Sequence, residues 1–246
     1  MNKQRFADAC SIVTETKREY HQIGTLGEKT LHAVVKHYIE PDVTKHEKKV
    51  GSFHADIVTE NGIFEIQTRS FNALRKRLNF FLEHYTVTIV YPLPKTKWLL
   101  WIDKQTGEVS KKRKSPKTGR IYDAVHELYK IRPLLNHPNL KLHVVFIDME
   151  EYRYLDGWSE NKKKGSSRYD RHPLEITDEI LFNAKSDYLQ FIPPDLEEQF
   201  TTKDYKQAAK INLRTAQTIL NILNYIGAVK RTGKTGNLHI YERNTF

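Results

Sequence analysis

The sequence predicts an α/β (α+β) domain, a mixed central sheet flanked by helices, followed by a smaller helix–turn–helix unit that ends in a hairpin. Three observations predict it. Amphipathic helical stretches alternate with short strand-like runs as far as Met149, the pattern of a sheet layered with helices. A polar, basic stretch, WSENKKKGSSRYDRHP, then reads as a linker or a long loop. Beyond Pro173 the chain returns to two helices, a tight turn between them, and two strands around a Gly-Lys-Thr-Gly tip. The expected domains are therefore residues 1–172 and 173–246.

Taken in order, residues 4–18 form the first expected helix, with Phe6, Ala9, Cys10 and Val13 on one side. After the break QIGTLG, the segment EKTLHAVVKHYI places Leu31, Val34, Val35 and Tyr38 at helical spacing, and Pro41 ends it. A hairpin, GSFHADIVTENGIFEIQTRS, follows. Next, SFNALRKRLNFFLEHY reads as a helix with Phe71, Leu74, Leu78, Phe81 and Leu82 inward. TVTIVYP and KWLLWID read as two strands, and the basic loop KKRKSPKTGR leads to a helix over IYDAVHELYKIRPLL. KLHVVFIDM is the last strand of this part. In the second unit a helix from Lys203 to Ala209 precedes one capped by Asn212 and stopped by Gly227.

Composition narrows the function. A hydrophobic content of 39% and 13 tyrosines fit a chain that buries a core, not a disordered one. The formal net charge of +10 points to polyanionic partners, nucleic acid before an anionic membrane surface. One cysteine, Cys10, excludes an internal disulfide framework and any multi-cysteine zinc site, and a reducing cytoplasm is the expected compartment. No apolar run has the length to span a bilayer, so no membrane partner is expected.

The hairpin carries the chemistry. With Asn61-Gly62 as a two-residue turn, Val58 opposes Glu65 and Asp56 opposes Gln67. One face then holds His54, Asp56, Glu65 and Gln67; the other holds Phe53, Ala55, Ile57, Phe64 and Ile66. Two carboxylates so placed repel unless a proton or cation lies between them, and hard oxygen donors suit Mg²⁺. The plain alternative is a solvated outer face, where such acids cost nothing.

Asp56, then Glu65-Ile66-Gln67, behind a helix bearing Glu28, resembles the core of the PD-(D/E)xK nuclease superfamily over roughly residues 20–92. In that superfamily a helix glutamate precedes an aspartate strand and an E-x-K strand. The resemblance implies a metal-dependent DNA endonuclease in which Asp56, Glu65 and the Ile66 carbonyl hold Mg²⁺ or Mn²⁺. Gln67 would orient water or phosphate, and Glu28 would assist through water. Ala55 replaces the family's proline and Gln67 its usual lysine, although some restriction endonucleases of the superfamily also carry glutamine there. Lys29, Lys49 or Arg69 could supply the missing charge. Glu28 also fits a Thr-x-x-Glu capping box in TLGE. His32 and His54 are weaker candidates, since a lone histidine is more often a satisfied polar residue than a base.

The second unit resembles a winged-helix domain over about residues 175–243. Its second helix would present Arg214, Gln217, Thr218 and Asn221 to base edges, with Leu213, Ala216, Ile219, Leu220 and Leu223 as core. Lys230, Arg231 and Lys234 on the wing would meet phosphate. Arg75 and Lys76, the loop cluster of Lys111, Lys112, Arg113, Lys114, Lys117 and Arg120, and a second one of Lys162, Lys163, Lys164, Arg168 and Arg171 would contact the DNA backbone. The expected partner is DNA, and a homodimer is permitted. The alternative function is a non-catalytic DNA-binding protein on a nuclease-derived fold.

Overall fold

A computed structural model describes residues 1–20, 29–68, 70–156 and 166–246, the side chains of residues 16–20 excepted. Two helices, α1 (Lys3–Tyr20) and α2 (Thr30–Ile39), precede an antiparallel run of β1 (His46–Val50), β2 (Phe53–Thr59) and β3 (Gly62–Ile66). A 3-10 turn at Phe71–Leu74 and helix α3 (Arg75–Leu82) cross to β4 (Val87–Ile102), which lies parallel to β3. Strand β5 (Arg113–Lys114) and helix α4 (Val125–Lys130) lead to β6 (Leu140–Tyr154), parallel to β4, and β7 (Arg168–Phe182) returns antiparallel to β6. The sheet order is β1-β2-β3-β4-β6-β7, with β5 paired to β4, so the expected mixed sheet flanked by helices is what the chain forms.

Each face of the sheet has its own core. Phe6, Ala9 and Val13 of α1 join Leu31, Val34, Val35 and Tyr38 of α2 against Ile57, Ile66, Val90 and Ile147. On the opposite face Leu74, Leu78 and Phe81 pack with Val125 and Leu128 against Ile63, Ile89 and Val144. This double cover explains why β4 and β6 are continuous apolar runs and not alternating ones.

Three expectations are corrected by this arrangement. TVTIVYP and KWLLWID are one 16-residue strand, although Pro92 and Pro94 interrupt the run. The Val90 carbonyl accepts from Gln67 N–H on the β3 side, and alternation turns residues 92 and 94 the same way. The paired part of β3 ends at Ile66 opposite Val90, so those prolines face a side where no donor is needed. The expected boundary between 172 and 173 falls inside β7. Pro173 is tolerated there because β7 is the edge strand and its ladder shifts register beside Met149.

The hairpin turn is the third. Thr59 pairs with Gly62 and Val58 with Ile63, so Glu60-Asn61 is the turn and the register slides by two residues. A two-residue slide keeps strand parity, so Ile57, Phe64 and Ile66 share one face as expected, whereas Phe53 and Ala55, expected with them, pack into the opposite core. Gly62 is placed by a close approach instead: with φ of +119°, its missing Cβ would stand 2.2 Å from the Thr86 carbonyl oxygen. Gly62→Ala should therefore destabilise the protein by about 1–3 kcal/mol, read by urea unfolding; a change under about 0.5 kcal/mol would show that Thr86 yields freely.

Past β7, a 3-10 segment (Lys185–Phe191) leads to β8 (Gln199–Thr201), α5 (Thr202–Ala209), α6 (Leu213–Ile226), β9 (Val229–Thr235) and β10 (Leu238–Arg243). The three strands form a separate sheet in the order β8-β10-β9. Thr201 and Asp204 make a reciprocal capping box on α5. Asn212 caps α6 by accepting from Thr215 N–H at 2.8 Å, and Gly227 ends it at φ 81°, as expected. Leu213 departs from its expected core position and is exposed, being at the first turn beyond the packed stripe; Ile222 is buried instead. Ala216, Ile219, Leu220 and Leu223 join the same core as α3 and α4.

Candidate active site

The ladder between β2 and β3 covers residues 57–59 and 62–64 and then stops. Asp56 and Glu65 are the next pair along, where the two strands part. Asp56 fills the gap with its side chain: Oδ2 accepts from Ile66 N–H at 2.7 Å, in place of a main-chain bond. The same oxygen lies 3.3 Å from His32 Nε2 on α2. These contacts fix the carboxylate across the mouth of the fork.

Glu65 is fully buried, and neither carboxylate oxygen has a hydrogen-bond partner. Arg77 Nη1 stands 3.1 Å from Oε2, close enough for charge attraction but not aligned to donate. The same Nη1 donates to the His54 carbonyl at 3.3 Å. Burial, then the neighbouring Asp56 charge, push the Glu65 carboxyl up to about 8; Arg77, the nearby Asp56 backbone N–H, which falls short of hydrogen-bond geometry, and His32 pull the other way. A buried carboxylate without donors is costly, so this pair asks for a proton or a cation. Among the described residues no group of three or more His, Cys, Asp or Glu side chains gathers to hold a metal ion. Glu28, the expected third acid, lies outside the described residues.

Gln67 follows Glu65 on the same strand face, and its Nε2 donates to the Ser70 carbonyl at 2.9 Å. Its amide thus ties the end of β3 to Ser70. Of the cations considered as substitutes for the family's lysine, Lys29 donates to the Tyr169 carbonyl and Lys49 sits on edge strand β1 opposite His54. Arg69 is outside the described residues. The cation at Glu65 is Arg77 of α3, to which the sequence assigned no role at the site. A signal was present: Arg77 is three residues after Leu74 and four before Phe81, so it flanks the inward stripe of α3.

The residues expected at DNA are spread over several elements. Arg75 and Lys76 are exposed at the start of α3, and Arg113 and Lys114 on β5. Lys117 pairs with Asp123 at 2.6 Å, and Lys112 pairs with Glu150 at 2.7 Å while lying over the Trp98 ring. Arg120 is structural: it donates to the Ala209 and Lys210 carbonyls, closing the end of α5 against the larger unit. Lys162, Lys163 and Lys164 lie outside the described residues. On α6, Arg214 and Gln217 are exposed, whereas Asn221 accepts from Arg132 and is withdrawn from the expected strip. Lys230 pairs with Glu242 at 3.2 Å, Arg231 covers the Tyr241 ring, and Lys234 is exposed.

A family model described as "Domain of unknown function (DUF8091)" matches residues 29–183, the stretch from the start of α2 to the end of β7. A Treponema pallidum (strain Nichols) protein described as "Uncharacterized protein" is 29% identical over 229 residues, covering 90% of this chain and 87% of that one. No solved structure matches the chain. No helix among the described residues is long and apolar enough to cross a membrane.

Proposed function

The chain belongs to the family described as "Domain of unknown function (DUF8091)", and we propose that it is a metal-dependent DNA endonuclease of the PD-(D/E)xK type, with a winged-helix DNA-binding unit at its C-terminal end. The observation that carries this reading is Glu65, a buried carboxylate with no hydrogen-bond donor, set beside Asp56 at the parting of two strands. Hard oxygen donors such as these two carboxylates fit Mg²⁺ or Mn²⁺. Asp56, Glu65 and the Ile66 carbonyl would hold the ion, which supplies a polarised phosphoryl oxygen and a water of lowered pKa.

The chain's own residues do the rest. Ile66 N–H keeps Asp56 turned toward Glu65. Arg77 stands beside Glu65 as a full positive charge, the property that Gln67 lacks relative to the family's lysine. Gln67 holds Ser70 at the site's edge. Exposed Arg75 and Lys76 would take backbone phosphates next to the fork, and Arg214, Gln217 and Lys234 would meet the duplex from the second unit.

The test is cleavage of supercoiled, linear, single-stranded and branched DNA with Mg²⁺ or Mn²⁺. Wild type should nick or cut at least one, and Asp56→Asn should not. Intact DNA in every lane would sink the enzyme. The second reading, a DNA-binding protein on a nuclease-derived fold, is favoured by the Gln67 amide being engaged with Ser70. Gln67→Lys separates the two: a competent site should keep or raise its activity, and a dead scaffold should stay silent.

A further inference from the structure

Away from the fork, the far ends of β4, β6 and β7 carry a second concentration of charge. Glu151 is buried, and three cations reach its carboxylate: Arg153 Nε at 2.7 Å, Lys97 Nζ at 3.2 Å and Arg168 Nε at 3.5 Å. Arg171 stands opposite Glu151 in the β6–β7 ladder, and its guanidinium donates to the Thr68 carbonyl at 3.0 Å. Three cations thus contact Glu151 and a fourth, Arg171, stands beside it, with buried Asp170 as the other acid acting on Arg171. Burial, and then the neighbouring Arg168, bring Arg171 down to about 10, and burial holds Lys97 below the usual lysine range. A structural ion pair needs one cation for one carboxylate; the surplus of cations over Glu151 and Asp170 adds desolvation and like-charge repulsion, which the Arg171–Thr68 hydrogen bond offsets only in part. An anion from outside would relieve both.

We infer that Lys97, Arg153, Arg168 and Arg171 form a subsite for a non-scissile phosphate of the DNA strand whose scissile phosphate reaches the Asp56–Glu65 fork. The location rests on the nuclease reading. Thr68, the partner of Arg171, comes three residues after Glu65, a separation of at most about 10 Å, so both sites lie within reach of one DNA strand. Register adds a second feature. Trp101 pairs with Arg153, and Arg153 with Arg168, so an aromatic ring lies in the same row as the cations. Cations beside an aromatic suit a nucleic-acid strand better than a free anion.

The test uses the full chain and a fluorescein-labelled duplex, with anisotropy read in EDTA across a salt series. Arg168 is the cleaner probe because its side chain is 41% exposed and its removal leaves Glu151 two other partners. Arg168→Gln should weaken binding and reduce the slope of log affinity against log salt by about 0.9, and Arg168→Lys should restore it. Arg171→Gln should act in the same direction, with a thermal melt confirming that the variant is folded. Unchanged affinity and slope in Arg168→Gln would overturn the subsite, as would a wild type that fails to bind at low salt. Mn²⁺-dependent cleavage reads the enzyme separately. Cleavage with an unaltered salt slope in Arg168→Gln removes the subsite alone; a lost slope without any cleavage removes the nuclease and keeps the subsite.

Discussion

Glu65→Gln should abolish Mn²⁺ binding and, in the metal-free protein, raise stability at pH 8 relative to wild type. Both effects come from one buried carboxyl. Its folded-state pKa of about 8 lies above the ordinary glutamate value of 4.5, so between those values the folded protein holds a proton that the unfolded chain has released. Folded binding of more protons makes stability fall as pH rises through that window, by at most about 1.4 kcal/mol per pH unit. Below pH 4.5 both states are protonated and the full stability is present. Glutamine has no proton to lose, so the variant should lack this slope and gain on wild type from pH 5 to pH 8. Mn²⁺ binding has the opposite trend. The proton must leave before the carboxylate can act as ligand, so wild-type affinity should climb toward pH 8, with proton release visible as a buffer-dependent heat. Changes to groups that merely support metal ligands cost 10–100-fold in affinity, so losing the ligand itself should cost more than about 100-fold. Calorimetry in two buffers and urea unfolding at pH 5 and 8 check both parts. Equal Mn²⁺ affinity in variant and wild type would remove Glu65 from the metal site.

Leu220→Ala should destabilise the whole chain, not the C-terminal unit alone. Leu220 is fully buried in α6, and the core it belongs to runs without interruption from Ala55 and Ile63 of the sheet to Tyr241 of β10. Polar contacts cross the same seam: Arg120 to the end of α5, Arg132 to Asn221, and Asn136 Nδ2 to the Tyr225 carbonyl at 3.0 Å. Removing a buried leucine typically costs about 2–5 kcal/mol. The second unit has no tryptophan, and Trp98 and Trp101 lie in β4, so their fluorescence reports on the larger unit. A shared core requires that Leu220→Ala lower the tryptophan-reported melting midpoint as far as it lowers the helical signal. A tryptophan transition that stays in place while helicity melts early would mean the units unfold independently.

The residue pattern alone was enough for the elements whose cause is local. Phe6, Ala9 and Val13, or Leu74, Leu78 and Phe81, define helix faces by spacing, and Asn212 and Gly227 mark the ends of α6 by the conformations those residues favour. The closeness of Asp56 to Glu65 was legible for the same reason, although the expected opposition of Asp56 to Gln67 is not the register that forms. What needed the tertiary structure were the features set by neighbours distant in sequence. The turn position at Glu60-Asn61 follows from Thr86 pressing on Gly62. Pro92 and Pro94 sit within a strand because β3 has already ended beside them, and Pro173 because β7 is an edge. Arg77 becomes the cation at Glu65 only when α3 folds across β3, and Arg171 meets Glu151 only when β7 pairs with β6. Periodicity records which face of an element is apolar. It holds no record of which element lies against that face, and the charges at both sites are decided there.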